Sequence, residues 1–122
     1  MAQHNDLGFW GEQQAATFLE QKGYRIMRRN WRCGSRDIDI IATNFNELII
    51  VEVKTRRDNA FTDPATAVDA AKIRSLSIAT DVFVKKERID LPIRFDIVAV
   101  TGTPQTGCTI DHIEDAFMPI TR

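Results

Sequence analysis

The run Leu48-Ile49-Ile50-Val51-Glu52-Val53-Lys54 constrains this chain more than any other feature. Four successive apolar residues followed by Val53 read as a central strand buried on both faces, so the sheet that holds it needs cover on both sides. Glu52 and Lys54 close the same strand. Residues i and i+2 share a face, about 7 Å apart along the backbone, so a carboxylate and an ammonium project side by side. Burying either one unpaired is costly. An ion pair at a strand end that opens to solvent accounts for them, and so does a site that needs both.

The rest of the pattern supplies the cover. From Asp6 to Lys22 the residues Leu7, Phe9, Gly11, Ala15, Ala16, Phe18 and Leu19 fall in one arc at the helical period, with Gly23 as the stop. Strands are predicted over Tyr24 to Trp31, Asp37 to Thr43 and Leu48 to Thr55, the last two joined by a turn at Asn44-Phe45-Asn46-Glu47. Asp63 as N-cap and Pro64 at the first helical position start a second helix that runs to about Lys86. A fourth strand covers Arg94 to Val100, is broken by Thr101-Gly102-Thr103-Pro104, and is followed by a short edge strand over Cys108 to Ile113. The order α-β-β-β-α-β predicts an α/β fold, a single domain with a mixed central sheet flanked by helices. Its core spans about residues 7–100, with 101–122 as a C-terminal extension.

A chain of 122 residues is long enough for one well-formed core. With 43% hydrophobic and 27% charged residues, intrinsic disorder is excluded, and two cysteines do not make a disulfide scaffold. No apolar run approaches about 18 residues and no secretory signal is visible, so a cytoplasmic protein that contacts no membrane is expected. Cys33 is expected to be a buried or half-buried small residue. The net charge of −1 hides an asymmetry: the window Lys22–Arg36 carries +6 and no acid, while the remainder carries −7. Such a stripe is either a solvated segment or a surface for a polyanion.

Four further charges sit where the pattern wants apolar residues. Asp37 and Asp39 share one face of their strand while Ile38 and Ile40 share the other, and Asp is disfavoured within strands. Glu12 falls inside the apolar arc of the first helix. Lys72 falls near the middle of the apolar arc formed by Val68, Ser75, Leu76, Ala79, Val82 and Phe83 in the second. Each has a bland explanation: a polar outer face, a boundary glutamate, a snorkelling lysine. Glu12, Asp39 and Lys72, with Glu52 and Lys54, make three carboxylates and two lysines on four elements, all directed toward the packed side or a strand end. That set suits metal-assisted phosphodiester hydrolysis, in which carboxylates hold a hard divalent cation and a lysine stabilises developing charge.

Asp39 followed after twelve residues by Glu52-Val53-Lys54 resembles the metal-binding core of the PD-(D/E)XK nuclease superfamily. The longer context is more specific: Gly8-Phe9-Trp10-Gly11-Glu12, Gly23-Tyr24, Arg29-Asn30-Trp31-Arg32, Asp37-Ile38-Asp39-Ile40-Ile41, Val51-Glu52-Val53-Lys54-Thr55-Arg56, Lys72 and Arg94-Phe95-Asp96-Ile97-Val98. In this order it resembles the YraN-like (UPF0102) family, which is similar to archaeal Holliday junction resolvases. The resemblance implies an endonuclease-like fold and dependence on Mg²⁺ or Mn²⁺. It implies that Asp39, Glu52 and the Val53 carbonyl hold the metal, and that Lys54 orients or activates water. Glu12 would complete the acidic cluster and Lys72 would face the same cleft. Where the family commonly has Gly-Glu before Ile-Asp, this chain has Arg36-Asp37, and no direct role is expected for Asp37.

With that implication the stripe gains a use. Arg25, Arg28, Arg29, Arg32 and Arg36, with Thr55 and Arg56, are expected to follow a DNA backbone by shape rather than by base reading. The expected activity is metal-dependent DNA endonuclease, on branched or damaged DNA. The competing expectation is a non-catalytic nucleic-acid-binding or assembly protein that keeps the fold, and cleavage of RNA is a third. A homodimer is expected by analogy with resolvases, and from Trp10 and Trp31, which the pattern leaves without a place.

Overall fold

The computed structural model describes residues 6–58 and 68–119. Its elements are α1 (Asp6–Gln21), β1 (Arg25–Cys33), β2 (Arg36–Thr43), β3 (Leu48–Arg56), α2 (Ala70–Glu87), β4 (Ile93–Thr103) and β5 (Gly107–Ile113). The five strands form one sheet in chain order, antiparallel except for the parallel pair β3–β4. A parallel neighbour needs a crossover between them, and α2 lies in that connection. The predicted α/β architecture, a mixed sheet with a helix on each face, is the observed one.

The apolar run of β3 is buried on both sides because it feeds two cores. Ile49 and Val51 join Ala15, Ala16, Leu19, Ile40, Ala42, Val98 and Val100 under α1. Ile50 and Leu48 join Ile38, Ile41, Leu76, Ala79, Phe83 and Phe95 under α2. Alternation along β3 therefore sends Val53 to the α1 side and Glu52 to the α2 side. Trp31 lies edge-on to Phe83 with ring centroids 5.2 Å apart, and Trp10 packs against the α1 core. Both tryptophans are thus accounted for within one copy of the chain, and neither argues for a dimer. Cys33 is half-buried against the α2 core, as expected.

The start of α2 and the end of β4 differ from the sequence reading. The helix start placed at Asp63-Pro64 lies outside the described residues. The described α2 begins at Ala70, capped by Asp69, whose backbone is extended and whose carboxylate accepts the Lys72 N–H at 2.9 Å. Val68 therefore precedes the helix, and Val82 is 40% exposed instead of packed. β4 continues through the expected break to Thr103, because Gly102, at φ 141°, permits a close approach to the backbone of Gly107 and Cys108. The segment after residue 100 is therefore part of the sheet.

The ladder forks at one end. β2 pairs with β1 from Thr43 to Arg36, but with β3 only from Thr43–Leu48 to Ile40–Val51, while β3 stays paired with β4 as far as Arg56. Asp39 stands where β2 leaves β3. α1 comes close on the same side: a Cβ on Gly11 would run into the Thr55 side chain, so only glycine lets the helix pack this near.

Candidate active site

At the fork, Asp39 Oδ2 accepts the backbone N–H of Val53 at 2.8 Å. The carboxylate replaces the strand partner that β3 has lost there. Burial, and then the nearby negative charge of Glu52, push the Asp39 carboxyl up to about 7, against the Val53 hydrogen bond and the Lys72 ammonium, which favour the ionised form. Glu12 adds a smaller push in the same direction. Four of the sequence-predicted residues therefore feel one another electrostatically at one point of the fold.

Glu52 is 4% exposed, at the end of the apolar run of β3. Its Oε2 has two cationic neighbours, Lys54 Nζ at 3.4 Å and Lys72 Nζ at 3.6 Å. Its Oε1 is buried and has no hydrogen-bond partner. Unpaired buried carboxylate oxygens are uncommon, because each forfeits its hydration. Lys72 reaches Glu52 from the first turn of α2, so this lysine is drawn inward by charge instead of snorkelling to solvent.

Glu12, 7% exposed on α1, is held from β1. Its Oε1 accepts Asn30 Nδ2 at 2.9 Å, Arg29 Nη2 at 3.1 Å and Arg29 Nε at 3.3 Å. Glu12, Asn30, Asp39, Val53 and Thr55, with Gly8 and Phe9, line a cleft of about 370 Å³ on the α1 side. Glu52 is absent from that lining, because it occupies the other face of β3. Asp39, at the fork, is the group common to the cleft and to the Glu52 side.

Asp39, Glu52 and the Val53 carbonyl would offer only oxygen donors, the chemistry that suits a hard cation such as Mg²⁺, which takes one or two carboxylates with waters and substrate phosphate in the remaining positions. The orphaned Glu52 Oε1 and the protonation of Asp39 near neutral pH are both features that a cation would relieve. Among the described residues there is no group of three or more His, Cys, Asp or Glu side chains able to hold a metal. Glu12 is engaged by Arg29 and Asn30.

The basic stripe does not form one surface. Arg28 contacts Glu87 of α2 at 3.5 Å and lies over the Phe83 ring, whereas Arg29 turns to Glu12 and to Gln13 on α1. Arg28 and Arg29 are neighbours on a regularly paired stretch of β1, so the pleat alone sends them to opposite faces of the sheet. Arg25 and Arg32 are exposed, and Arg32 stands across from Asp37. Arg36 is half-buried, with a buried Nε that has no partner. Thr55 is half-buried beneath Gly11, and Arg56 is half-buried at the end of β3.

A second polar cluster carries no role in the sequence reading. Asp96, fully buried in β4, accepts from Arg94 Nε and Nη2 at 2.9 and 2.8 Å and from the Asp115 N–H at 3.0 Å, and contacts His112 Nε2 at 2.7 Å. Arg94 also donates to the Tyr24 hydroxyl at 2.6 Å and to Glu47 at 3.0 Å. Burial alone would raise the Asp96 carboxyl, but these bonds more than offset it and hold it below the usual range. The signal was visible: an acid inside the apolar run Phe95-Asp96-Ile97-Val98. The cluster ties β4 and β5 to Tyr24, just before β1, on the α1 side.

Residues 11–100 match the family model described as Uncharacterised protein family UPF0102. The chain is 49% identical over 119 residues to a UPF0102 protein of Phocaeicola vulgatus and 50% identical over 120 residues to one of Bacteroides fragilis, covering 98% of both chains in each case. It is 47% identical over 117 residues to UPF0102 protein FP2501 of Flavobacterium psychrophilum, covering 96% of this chain and 98% of that one. The chain belongs to the UPF0102 family.

Proposed function

We propose that this protein is a divalent-metal-dependent endonuclease that hydrolyses phosphodiester bonds of DNA. One observation carries the reading: a buried glutamate, Glu52, has one oxygen without a partner and the other between two lysines, beside an aspartate whose proton is held up to about pH 7. Buried carboxylate oxygens in structural ion pairs are mostly hydrogen-bonded. Asp39, Glu52 and the Val53 carbonyl would hold Mg²⁺ or Mn²⁺, which would supply Lewis acidity toward a phosphoryl oxygen and a lowered pKa for water.

The chain's own groups do the remainder. Lys54 and Lys72 place two ammonium charges beside Glu52, where negative charge develops as phosphorus is attacked. The fork between β2 and β3 leaves Asp39 open to the cleft without exposing the apolar core. Arg25 and Arg32, exposed on β1, supply contacts to phosphate without base reading. Arg28 and Arg29 are already paired, so fewer cations are left for phosphate, and both the affinity for duplex and its salt dependence are modest. No helix among the described residues is long and apolar enough to cross a membrane. We place the protein in the cytoplasm and treat a homodimer as a feature to be measured.

The test is cleavage of end-labelled linear, single-stranded and four-way-junction DNA with Mg²⁺, Mn²⁺ or EDTA, beside Glu52→Ala and Lys54→Ala. Metal-dependent cutting that disappears in both variants supports the reading, and the preferred substrate narrows it. Equal cutting by the variants assigns the activity elsewhere. Metal-independent binding without cutting by folded wild type favours the non-catalytic alternative.

A further inference from the structure

Among the described residues, Asn30, Phe45, Arg88 and Asp115 are the non-glycine positions with positive φ. Arg88 caps α2, and Phe45 and Asp115 lie in the segments that join or follow strands. Asn30, at φ 51°, lies inside β1. Left-handed backbone is unfavourable for L-residues and least so for asparagine. A left-handed residue in the middle of a strand interrupts its alternation. The interruption falls across from Asp39, because Arg29 pairs with Ile40 and Trp31 with Ile38.

The same residue donates its side-chain amide to Glu12 Oε1 at 2.9 Å. Arg29 places both Nε and Nη2 on that same oxygen. An arginine that only neutralised a glutamate would favour the two-oxygen fork. Here, among the described residues, three donors converge on Oε1 and none meets Oε2. Glu12 lines the cleft together with Asn30, Asp39 and Val53, and its charge reaches Asp39.

We infer that Asn30 is a positioning residue for this site: its left-handed backbone interrupts the β1–β2 ladder across from Asp39, and its amide, with the Arg29 guanidinium, fixes Glu12 so that one carboxylate oxygen stays available to the cleft. The inference rests on the endonuclease reading. In it Glu12 acts toward the substrate or its water, and Asn30 acts only through Glu12.

The backbone and amide contributions separate by substitution. Asn30→Gly keeps the left-handed conformation open and deletes the amide; Asn30→Asp also tolerates that conformation and deletes the donor. Thermal melting, Mn²⁺ affinity by calorimetry and the cleavage rate are measured for wild type, both Asn30 variants, Glu12→Gln and Asn30→Gly/Glu12→Gln. The expected result is an unchanged melting temperature for Asn30→Gly, a fall of roughly tenfold in cleavage rate, and no further fall when Asn30→Gly is added to Glu12→Gln. Wild-type cutting by Asn30→Gly beside a defective Glu12→Gln overturns the inference and leaves the site reading intact. So do effects that multiply in the double variant. Loss of fold in both Asn30 variants makes the amide a purely structural tie and also overturns it. A wild type that neither binds Mn²⁺ nor cuts removes the endonuclease reading and this inference with it.

Discussion

Asp39 Oδ2 and the Val53 N–H, 2.8 Å apart, bridge β2 and β3 just beyond the last pair of their ladder, Ile40–Val51. One side chain therefore closes the open edge of β3 and carries the carboxylate at the mouth of the cleft. The hydrogen bond fixes its direction, and burial beside Glu52 keeps it from ionising readily.

That conflict has a measurable consequence for stability. Folded Asp39 holds its proton up to about pH 7, while the unfolded chain releases it near 3.8. Between those values the folded state binds more protons, so stability falls as pH rises through the window. In Asp39→Asn the side-chain amide has nothing to ionise, and its carbonyl can still accept the Val53 N–H. Asp39→Asn should match wild type near pH 4 and exceed it by about 1–3 kcal/mol at pH 8, allowing for partial solvent screening. Denaturant melts in EDTA at the two pH values decide the matter, and a gap that does not grow with pH would contradict it.

A bound divalent cation should act in the opposite direction on the same group. Mg²⁺ or Mn²⁺ favours ionised Asp39 and gives Glu52 Oε1 a partner. It should raise the melting temperature at pH 8, by an increment equivalent to about 1.4 kcal/mol at tenfold excess over Kd. The increment should shrink at pH 5.5, where the cation competes with a proton, and vanish in Glu52→Gln. An equal increment in wild type and Glu52→Gln would place the ion elsewhere.

Much of this was legible in the sequence, for physical reasons that differ by residue. Helix and strand periods exposed the two-faced burial of β3, and from it the layered fold. Glu12, Asp39, Glu52, Lys54 and Lys72 were visible because each breaks a local pattern, and each is buried or half-buried in the fold. The basic stripe misled in part, since a linear charge count ignores the strand alternation that sends Arg28 and Arg29 to different faces. The Asp69 cap went unread because the Asp63-Pro64 pair, which lies outside the described residues, is the stronger cap signal in the sequence. Asn30 was invisible as a site residue: an exposed asparagine in a polar stretch breaks no pattern, and its positive φ is set by tertiary contacts. Asp96 was simply overlooked.

The Asp96 cluster should matter to stability and not to the metal. Its carboxyl titrates below the unfolded value of 3.8, so its contribution is fully present above that value and is lost as pH falls through the lower folded one. Asp96→Asn leaves Arg94, whose side chain is 12% exposed, without its main counter-charge. The expected cost is about 3 kcal/mol at pH 7, narrowing below pH 4. Mn²⁺ affinity of the folded variant should equal that of wild type. A loss of affinity without a loss of stability would move this cluster into the site.

The two lysines on Glu52 predict a non-additive pair. Lys54→Met or Lys72→Met alone leaves Glu52 Oε2 one ammonium, at 3.6 or 3.4 Å respectively. Each lysine side chain is about one-third exposed, so each single change should cost about 1 kcal/mol or less. Removing both leaves a carboxylate that is 4% exposed with no counter-charge at hand. The double variant should therefore lose about 3 kcal/mol, more than the two singles together. Adding Glu52→Gln to the double variant removes the unpaired charge and should restore most of that loss. Chemical denaturation of the four variants and wild type gives the coupling directly. Strict additivity, or no recovery on adding Glu52→Gln, would mean that solvent rather than the lysines balances Glu52, and the charge arrangement on which the proposed site depends would have to be redrawn.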